Sequence, residues 1–178
     1  MKLLIIGNAR HGKTTAAEIL SKKFDLKFAD SSRAAAEIFL YDKLKDKYEF
    51  KGFNECYKDR VNHRQEWFEE ICKFNKDDPT RLAKEIMKTA DIYCGMRSGR
   101  EILKCVEDKI FDHIIFIYNP NLPHEETNSF DIDFDEIPEH HTIINKPKRG
   151  LWYLEKQLRG LLKELQIIQL ERGRKVQV

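Results

Sequence analysis

Short apolar runs alternate with longer stretches of helical periodicity along most of this chain. Five such runs end at polar or turn-forming residues and predict buried strands at 3–6, 26–29, 91–96, 111–118 and 141–144. Alternation of strands with helices is typical of a parallel sheet that is covered on both faces. The pattern therefore predicts a three-layer α/β fold, with a central, mostly parallel five-stranded sheet and helices on both faces.

The segments between these runs carry apolar residues at helical spacing. The first series follows the first strand and extends to Phe24, and Ser31 or Ser32 can cap a second helix that continues through Leu40. Further helices are predicted at 55–74, at 79–89 with Asp78 as the cap and Pro79 as the first helical residue, from Ser98 to Val106, and at 150–171.

The residues after the first strand form a phosphate-binding motif. Positions 7–14 match the pattern G-x-x-x-x-G-K-[ST], and the strand before them and the helix after them supply the context that this motif requires. In such a loop the backbone amides surround a phosphate, the lysine contacts the β- and γ-phosphate oxygens, and the threonine hydroxyl binds Mg²⁺. We therefore expect ATP and Mg²⁺ to bind here, with Lys13 as a catalytic residue and Thr14 as the metal ligand. The residues expected to contact the nucleotide are Gly7, Asn8, Ala9, Arg10, His11, Gly12, Lys13, Thr14 and Thr15.

A phosphate loop by itself does not separate kinases from other nucleotide-binding proteins. The chain has 178 residues, which leaves no room for the additional parts of a motor, and it lacks an Asn-Lys-x-Asp guanine signature. A small kinase with the P-loop nucleotide-kinase fold is therefore the favoured class. Asn145 follows the last strand, where such kinases hold the nucleobase, and we expect a backbone contact there at most. His11 is expected to stabilise the loop as a hydrogen-bond donor rather than to move protons.

Four arginines are candidates for phosphate binding, because phosphoryl transfer needs positive charge around the transferred group: Arg60, Arg64, Arg97 and Arg100. Arg60 and Arg64 are four residues apart in a predicted helix and so share a face that could clamp a phosphate, while Trp67 could stack a base. The alternative is an exposed arginine pair above a core tryptophan. Arg97 follows a predicted strand and is expected to be catalytic, together with Arg10.

Asp30, at the end of the second predicted strand, has three interpretations. It could accept the proton of a hydroxyl acceptor, as a general base does. When the acceptor is a phosphate, it could instead hold the water shell of Mg²⁺ or a sugar hydroxyl. It could also only cap the following helix. We include Asp30 in the predicted catalytic set, with Mg²⁺ contacted through water.

Charge is unevenly distributed, although the formal net charge is only +2. Residues 110–145 contain no Lys or Arg and carry many acidic side chains. Small nucleotide kinases usually close an arginine-bearing lid here, so we expect residues 119–140 to form a lid-like acidic loop. The role of the missing lid arginines would then fall to Arg10, Arg97 and Arg100.

Residues 1–171 are predicted to form one kinase domain. Within it, residues at about 43–90 are expected to be a helical acceptor-binding insertion, and residues 172–178 form a basic tail. No stretch is long and apolar enough to cross a membrane, and the first strand leads directly into the phosphate loop without a cleavage site. The four cysteines form no C-x-x-C pair, so reduced thiols and a cytoplasmic location are expected. The oligomeric state is left open.

Four blocks of the chain carry a family resemblance: the phosphate loop with Thr15, residues 28–32, residues 59–67, and residues 93–98 followed by Glu101. In this order and spacing they resemble the deoxynucleoside monophosphate kinase-like P-loop proteins of tailed bacteriophages. The resemblance continues more weakly through residues 143–145 and the last helix. It implies ATP, Mg²⁺ and an acceptor built on a deoxynucleotide. The predicted acceptor site comprises Asp30, Ser31, Arg33, Arg60, Arg64, Trp67, Arg97 and Arg100.

Three functions remain open on the sequence. The first is ATP- and Mg²⁺-dependent phosphoryl transfer to a deoxynucleoside 5′-monophosphate, which gives the diphosphate. The second is a kinase of a hydroxyl, such as a hydroxymethylated pyrimidine in phage DNA, with Asp30 as the base. Only this function needs DNA as a partner, and the acidic residues 110–145 disfavour a DNA duplex. The third is a non-catalytic ATP-binding module that regulates assembly.

Overall fold

Five short strands form one sheet in which every neighbouring pair is parallel. The computed structural model of the protein describes residues 1–122, 132, 134–137 and 139–175. The strands are β1 Leu3–Ile6, β2 Phe28–Asp30, β3 Ile92–Cys94, β4 His113–Tyr118 and β5 His140–Ile144, in the order β2-β3-β1-β4-β5. The predicted α/β class is confirmed, and the sheet is parallel throughout rather than mostly parallel.

Eight α-helices surround the sheet in the described part of the chain. They are α1 Lys13–Phe24, α2 Ser31–Ala35, α3 Tyr41–Leu44, α4 Phe53–Asp59, α5 Arg64–Phe74, α6 Arg81–Ile86, α7 Gly99–Glu107 and α8 Leu151–Lys175. A π-helical segment, Ala36–Leu40, joins α2 to α3, so that one continuous helix runs from Ser31 to Leu44. Such π-helical segments are frequent at functional sites.

The core is divided by the sheet into two clusters, as the alternation of side chains along a strand requires. Leu3 and Ile5 of β1 pack with α1 and α8, whereas Leu4 and Ile6 pack with the helices on the other face. Both faces of β1 are therefore buried, which explains its unbroken apolar sequence. This arrangement confirms the predicted three layers.

The register brings the carboxyl ends of all five strands to one edge of the sheet. Leu3 is level with Ile92 of β3 and with His113 of β4, and Asp30 of β2 is level with Cys94. Loops that leave parallel strands at this edge form the usual ligand crevice of an open α/β sheet. The polar residues that follow the strands therefore meet there, as the sequence predicts.

The predicted helix at 55–74 is interrupted. Helix α4 ends at Asp59 and α5 begins at Arg64, because Asp59 accepts hydrogen bonds from the Asn62 side chain at 2.6 Å and pairs with His63 Nε2 at 2.8 Å. Such local side-chain bonds compete with helix continuation. The prediction that Arg60 and Arg64 share one helical face was therefore wrong.

Two other helix ends differ from the predictions. Asp78 does not cap a helix at Pro79: its Oδ1 accepts from the backbone N–H and the hydroxyl of Thr80, at 2.9 and 2.6 Å, and α6 begins at Arg81. These bonds, the hydroxyl bond first, lower the pKa of Asp78 to about 2. At the other end, α8 continues through Lys175, so residues 172–175 of the predicted tail are helical. Residues 176–178 lie outside the described residues.

The predicted lid at 119–140 lies mostly outside the described residues. In the described part of it, a 3-10 turn spans Phe134–Glu136 and Ile137 is buried in the core. The region 43–90 is helical as predicted, and its role in acceptor binding stays a prediction. No helix in the described part of the chain is long and apolar enough to cross a membrane.

Candidate functional site

The phosphate loop connects β1 to α1 in a backbone conformation that depends on glycine. Gly7 and Gly12 have φ values of 139° and 100°, and Arg10 between them has a φ of 63°. A Cβ atom at Gly7 would collide with the carbonyl oxygen of Ile117, and one at Gly12 would collide with the side-chain amide of Asn145. Both glycines of the motif are therefore required by close packing of the loop against β4 and β5, as well as by their φ values.

His11 holds the loop against the ends of β4 and β5. It is 1% exposed, and its Nδ1 accepts a hydrogen bond from the backbone N–H of Asn119 at 3.1 Å. The side-chain Nδ2 of Asn145 donates to the His11 carbonyl at 3.0 Å. His11 thus stabilises the loop as predicted, but its Nδ1 is an acceptor rather than a donor, which requires a ring that is unprotonated at this nitrogen. These two hydrogen bonds, from Asn119 and Asn145, form a clamp on His11. No role was predicted for Asn119 from the sequence.

The side chain of Asn145 faces the loop rather than open solvent. Its backbone N–H donates to the Tyr118 carbonyl at 2.7 Å, and its side chain makes the bond to His11 described above. A nucleobase contact by Asn145 stays a prediction.

Lys13 lies across the phosphate loop. Its Nζ donates to the carbonyl oxygen of Asn8 at 2.6 Å. The Asn8 side chain is 9% exposed, and its Oδ1 has no hydrogen-bond partner among the described residues. Thr14 follows in the exposed first turn of α1, which contains no acidic residue. The start of α1 therefore keeps the positive end of its dipole, as a phosphate site requires.

Asp30 caps α2. Its Oδ1 accepts the backbone N–H groups of Ser32 and Arg33, both at 3.1 Å. The expectation that Ser31 or Ser32 is the cap was therefore wrong, and the capping interpretation of Asp30 is the one that the hydrogen bonds bear out.

Cys94 links Asp30 to the phosphate loop. It is paired with Asp30 in the sheet, and burial, followed by the Asp30 carboxylate, raises the pKa of its thiol to about 12. Lys13 and a hydrogen bond with Thr14 act on the same thiol in the opposite direction. In the same register Cys94 pairs with Ile5 of β1, so the end of β2 and the phosphate loop, which begins at Gly7, leave the same edge of the sheet.

Beyond Asp30, two aromatic rings and two arginines form a cluster that we name the Tyr57 platform: Arg33, Phe53, Tyr57 and Arg60. The Phe53 and Tyr57 rings are stacked, with centroids 6.2 Å apart and planes 4° apart. The Arg60 guanidinium lies 4.2 Å from the Tyr57 centroid, and that of Arg33 lies 5.7 Å from it. Burial raises the pKa of the Tyr57 phenol most, and the neighbouring Asp30 carboxylate raises it further. The platform therefore adjoins Asp30.

The platform contains two residues that the sequence did not nominate, Phe53 and Tyr57. Their signal is weak: two aromatic residues four positions apart within a basic segment. Arg33 and Arg60 were both among the predicted acceptor residues, although the predicted pair was Arg60 with Arg64. Arg33 and Arg60 come together around Tyr57 because α4 packs against the continuous helix from Ser31 to Leu44.

The other predicted acceptor residues are more dispersed. Trp67 is 5% exposed and packs in the core, with its ring centroid 6.4 Å from that of Tyr57. This corrects the prediction that Trp67 stacks on a base. Arg64 is exposed at the start of α5, and Arg97 is exposed between β3 and α7. Arg100 lines a cleft of about 670 Å³ between α7 and the residues Ile132 and Glu136, and the phosphate loop is not part of its lining.

The side chain of Ser31 is within hydrogen-bond distance of a buried tyrosine, Tyr93. The Tyr93 hydroxyl, 1% exposed, lies 3.2 Å from Ser31 Oγ. The pKa of Tyr93 is raised, first by burial and then by the Glu101 carboxylate, which itself accepts a hydrogen bond from Asn75 at 2.8 Å. Tyr93 thus connects the first residue of α2 to α7 and to the end of α5.

No protein-only metal centre is found in the described part of the chain, where no three His, Cys, Asp or Glu side chains could hold a metal ion together. The predicted Mg²⁺ ligand, Thr14, belongs to a different kind of site, in which phosphate oxygens supply most of the ligands. The Mg²⁺ site stays a prediction.

Comparisons with known proteins identify no family. No protein-family model matches the chain, and no curated protein matches it. Among solved structures, it is similar to the unliganded crystal structure of a sugar kinase from Janibacter sp., at 12% identity over 91% of this chain and 94% of that chain, with a TM-score of 0.43. At this identity and TM-score the similarity transfers no activity or substrate.

Proposed function

We propose that this protein transfers the terminal phosphoryl group of ATP to the phosphate of a deoxynucleoside 5′-monophosphate, with Mg²⁺. The observation that carries the proposal is the sheet register, in which Cys94 of β3 pairs with Asp30 of β2 and with Ile5 of β1, two residues before the phosphate loop. We infer that the phosphate loop and the Asp30 end of β2, with Arg33 and Arg60 beyond it, form two neighbouring sites at the carboxyl edge of the sheet. A phosphotransferase requires such a pair of sites.

The loop fits the phosphates of a nucleotide. Arg10 and Gly12 have left-handed backbone, a conformation that occurs in the anion-binding nests of phosphate loops. Lys13 spans this loop by its bond to the Asn8 carbonyl, so that its ammonium group is held where phosphate oxygens would replace that carbonyl.

When bound, ATP with Mg²⁺ supplies the phosphoryl group and neutralises part of its charge. Lys13 would bind the phosphate oxygens, and Thr14 at the start of α1 would hold the metal. Arg10 and Arg97 are both exposed at this edge and would contact the transferred group in place of lid arginines. The His11 clamp keeps the loop amides in position before the nucleotide arrives, which lowers the cost of binding.

The hydrogen bonds of Asp30 favour a phosphate acceptor over a hydroxyl acceptor. Its Oδ1 already accepts two backbone N–H groups, and the Tyr57 hydroxyl lies beside the same carboxylate. Both lone pairs of this oxygen are therefore engaged, and it is not free to take the proton of an acceptor hydroxyl. A phosphate acceptor needs no base at neutral pH, so a capped Asp30 is compatible with it.

The test is a coupled assay of ADP release with the four deoxynucleoside monophosphates, the four deoxynucleosides, and hydroxymethylated DNA as acceptors. We expect turnover with at least one monophosphate and none with the nucleosides. Turnover only with hydroxymethylated DNA would establish the hydroxyl-kinase function instead. ATP binding without turnover on any acceptor would leave the regulatory module as the function and reject the proposal.

A further inference from the structure

We propose that the Tyr57 platform is the site for the phosphate monoester of the acceptor, which Arg33 and Arg60 bind jointly. This rests on the proposed function only in identifying the ligand as the acceptor. The site differs from the helical arginine pair that the sequence predicts, because Arg60 is paired with Arg33 of another helix rather than with Arg64 of its own.

Both guanidinium groups are held over the same ring. Arg60 lies 4.2 Å and Arg33 5.7 Å from the Tyr57 centroid, and Arg33 is also 5.6 Å from the Phe53 centroid. The two guanidinium groups therefore gather around one aromatic ring, and each can form paired N–H···O bonds with a phosphate. Contact with the rings restricts the position of each guanidinium without using its N–H donors.

Each arginine is also anchored by one hydrogen bond. Arg60 Nη1 donates to the Tyr57 carbonyl at 3.1 Å, and Arg33 Nε donates to Glu37 at 3.0 Å. No described carboxylate forms an ion pair with Arg60. Most N–H donors of the two groups therefore remain for a ligand, while their positions are already restricted, and such preorganisation strengthens binding.

Two of the three carboxylates near the platform are engaged elsewhere: Asp59 bonds with Asn62 and His63, and Asp30 caps α2. The third, Glu37, bonds to Nε of Arg33. The Tyr57 hydroxyl lies beside Asp30, whereas the guanidinium groups lie over the ring. A dianionic phosphate bound at the N–H edges of the guanidinium groups would thus meet two cations.

The chain contains a matched arginine that lacks the second cation. Arg81 lies 4.2 Å from the Phe74 centroid, and its Nη1 donates to the Phe74 carbonyl at 3.4 Å. Arg81, at the start of α6, thus has the same two contacts as Arg60, one with an aromatic ring and one with the carbonyl of the same aromatic residue. Its ring is contacted by one guanidinium group, whereas the Tyr57 ring is contacted by two. Arg81→Gln is therefore a control that removes the same kind of contact outside the proposed site.

The experiment is calorimetric titration of dAMP, dCMP, dGMP and dTMP, and of the matching deoxynucleosides, into wild type, Arg33→Gln, Arg60→Gln and Arg81→Gln without ATP. We expect at least one monophosphate to bind, and its nucleoside to bind at least about tenfold more weakly. Arg33→Gln and Arg60→Gln should each weaken monophosphate binding by about 10- to 100-fold, as loss of a charged hydrogen bond does. Arg81→Gln should bind as wild type.

The proposal is overturned if no monophosphate binds, if nucleoside and nucleotide bind equally, or if Arg60→Gln behaves as Arg81→Gln does. Thermal unfolding of each variant separates loss of the site from loss of the fold, and Arg60→Lys, which keeps the charge, should recover part of the affinity. Monophosphate binding that depends on both arginines, without phosphoryl transfer, would uphold the site and reject the proposed function. Phosphoryl transfer that does not depend on Arg33 and Arg60 would uphold the proposed function and reject the proposed phosphate site.

Discussion

The two ends of the candidate site are built in different ways. The donor end consists of residues that are consecutive in the chain, 7–14, and its shape is set by backbone φ values and by two strand ends that clamp His11. The acceptor end is assembled from α2, α4 and the end of β2, and its shape is set by side-chain packing around Tyr57. A contiguous loop tolerates few changes, whereas a platform of half-buried side chains and one exposed arginine can be altered residue by residue.

This difference predicts where variants act. Changes at the donor end should remove function or disturb the fold, because the loop packs directly on β4 and β5. Changes at the acceptor end should reduce affinity for one ligand and leave the fold in place. Five predictions test this contrast, from the largest expected effect to the smallest.

Lys13→Ala should remove phosphoryl transfer while the fold stays intact. Lys13 Nζ bonds to a loop carbonyl, and Lys13 lies outside both core clusters. We expect turnover to fall by about 10²-fold or more, the scale on which a preorganised charge partner acts. Steady-state kinetics and circular dichroism measure the two parts. Lys22→Ala, an exposed lysine on the same helix, is the control, and retention of turnover by Lys13→Ala would refute the kinase assignment.

Gly7→Ala should destabilise the protein more than Gly95→Ala. Both glycines follow a strand with positive φ, 139° and 108°, so both substitutions add backbone strain of about 1–3 kcal/mol. At Gly7 the new Cβ would also meet a backbone carbonyl of β4, whereas at Gly95 the nearest atom, Ser31 Cβ, is at an ordinary 3.4 Å. We expect about 3 kcal/mol for Gly7→Ala and about 1 kcal/mol for Gly95→Ala in urea unfolding. Equal losses would contradict the contrast between the ends.

Asp30 can be examined with two substitutions that separate capping from chemistry. Asp30→Asn keeps a capping oxygen, so its Tm should match wild type, and turnover should fall by less than about tenfold if the acceptor is a phosphate. Asp30→Ala loses the cap, and we expect about 1 kcal/mol of destabilisation and a Tm lower by about 2–4 °C. A loss of 10²- to 10⁴-fold in Asp30→Asn, with a flattened acidic limb of the pH–rate profile, would instead indicate a general base and a hydroxyl acceptor.

Tyr93→Phe should affect the acceptor end alone. The variant keeps the buried ring and removes the hydroxyl that lies 3.2 Å from Ser31 Oγ. We expect a loss of about 1 kcal/mol in stability, a rise of a few-fold in the KM for the acceptor, and an unchanged KM for ATP. Tyr48→Phe removes a hydroxyl that bonds to Glu66, away from both ends, and should lower stability without changing either KM. Matching kinetic effects in both variants would mean that Tyr93 does not position α2.

Asp78 lies at the corner between α5 and α6, outside both ends, and should affect only stability. Hydrogen bonds from Thr80 and Lys84 lower its pKa from 3.8 to about 2. A depressed pKa in the folded state stabilises the fold above the unfolded value, and this contribution is lost as the pH falls from about 4 through 2. Asp78→Asn should therefore lower stability at neutral pH slightly and flatten its decline between pH 4 and pH 2, as measured by urea unfolding. An unchanged slope in that range would contradict the depressed pKa.

Much of the fold and of the donor end follows from local sequence. The five apolar runs predicted the strands. For β1, β3 and β4 the reason is that a strand buried on both faces needs an unbroken apolar segment. The phosphate loop was also predictable, since the positive φ values that its glycines adopt are a property of the loop itself, although their contacts with Ile117 and Asn145 were not. Asp30 was recognised as important for the same reason: it stands directly at a strand end and a helix start.

The acceptor end was decided by tertiary structure. Helical spacing alone suggested that Arg60 and Arg64 share a face, but hydrogen bonds of Asp59 end α4 ahead of Arg60. Packing of α4 against the helix from Ser31 to Leu44 brings Arg33 and Arg60 to the same ring instead. The sequence alone is compatible with Trp67 as a ring that stacks on a base or as a core residue. Its burial in the folded protein shows that it is a core residue. The His11 clamp joins residues more than one hundred positions apart. Sequence periodicity reports which residues are neighbours within an element, whereas these contacts depend on how the elements pack against one another.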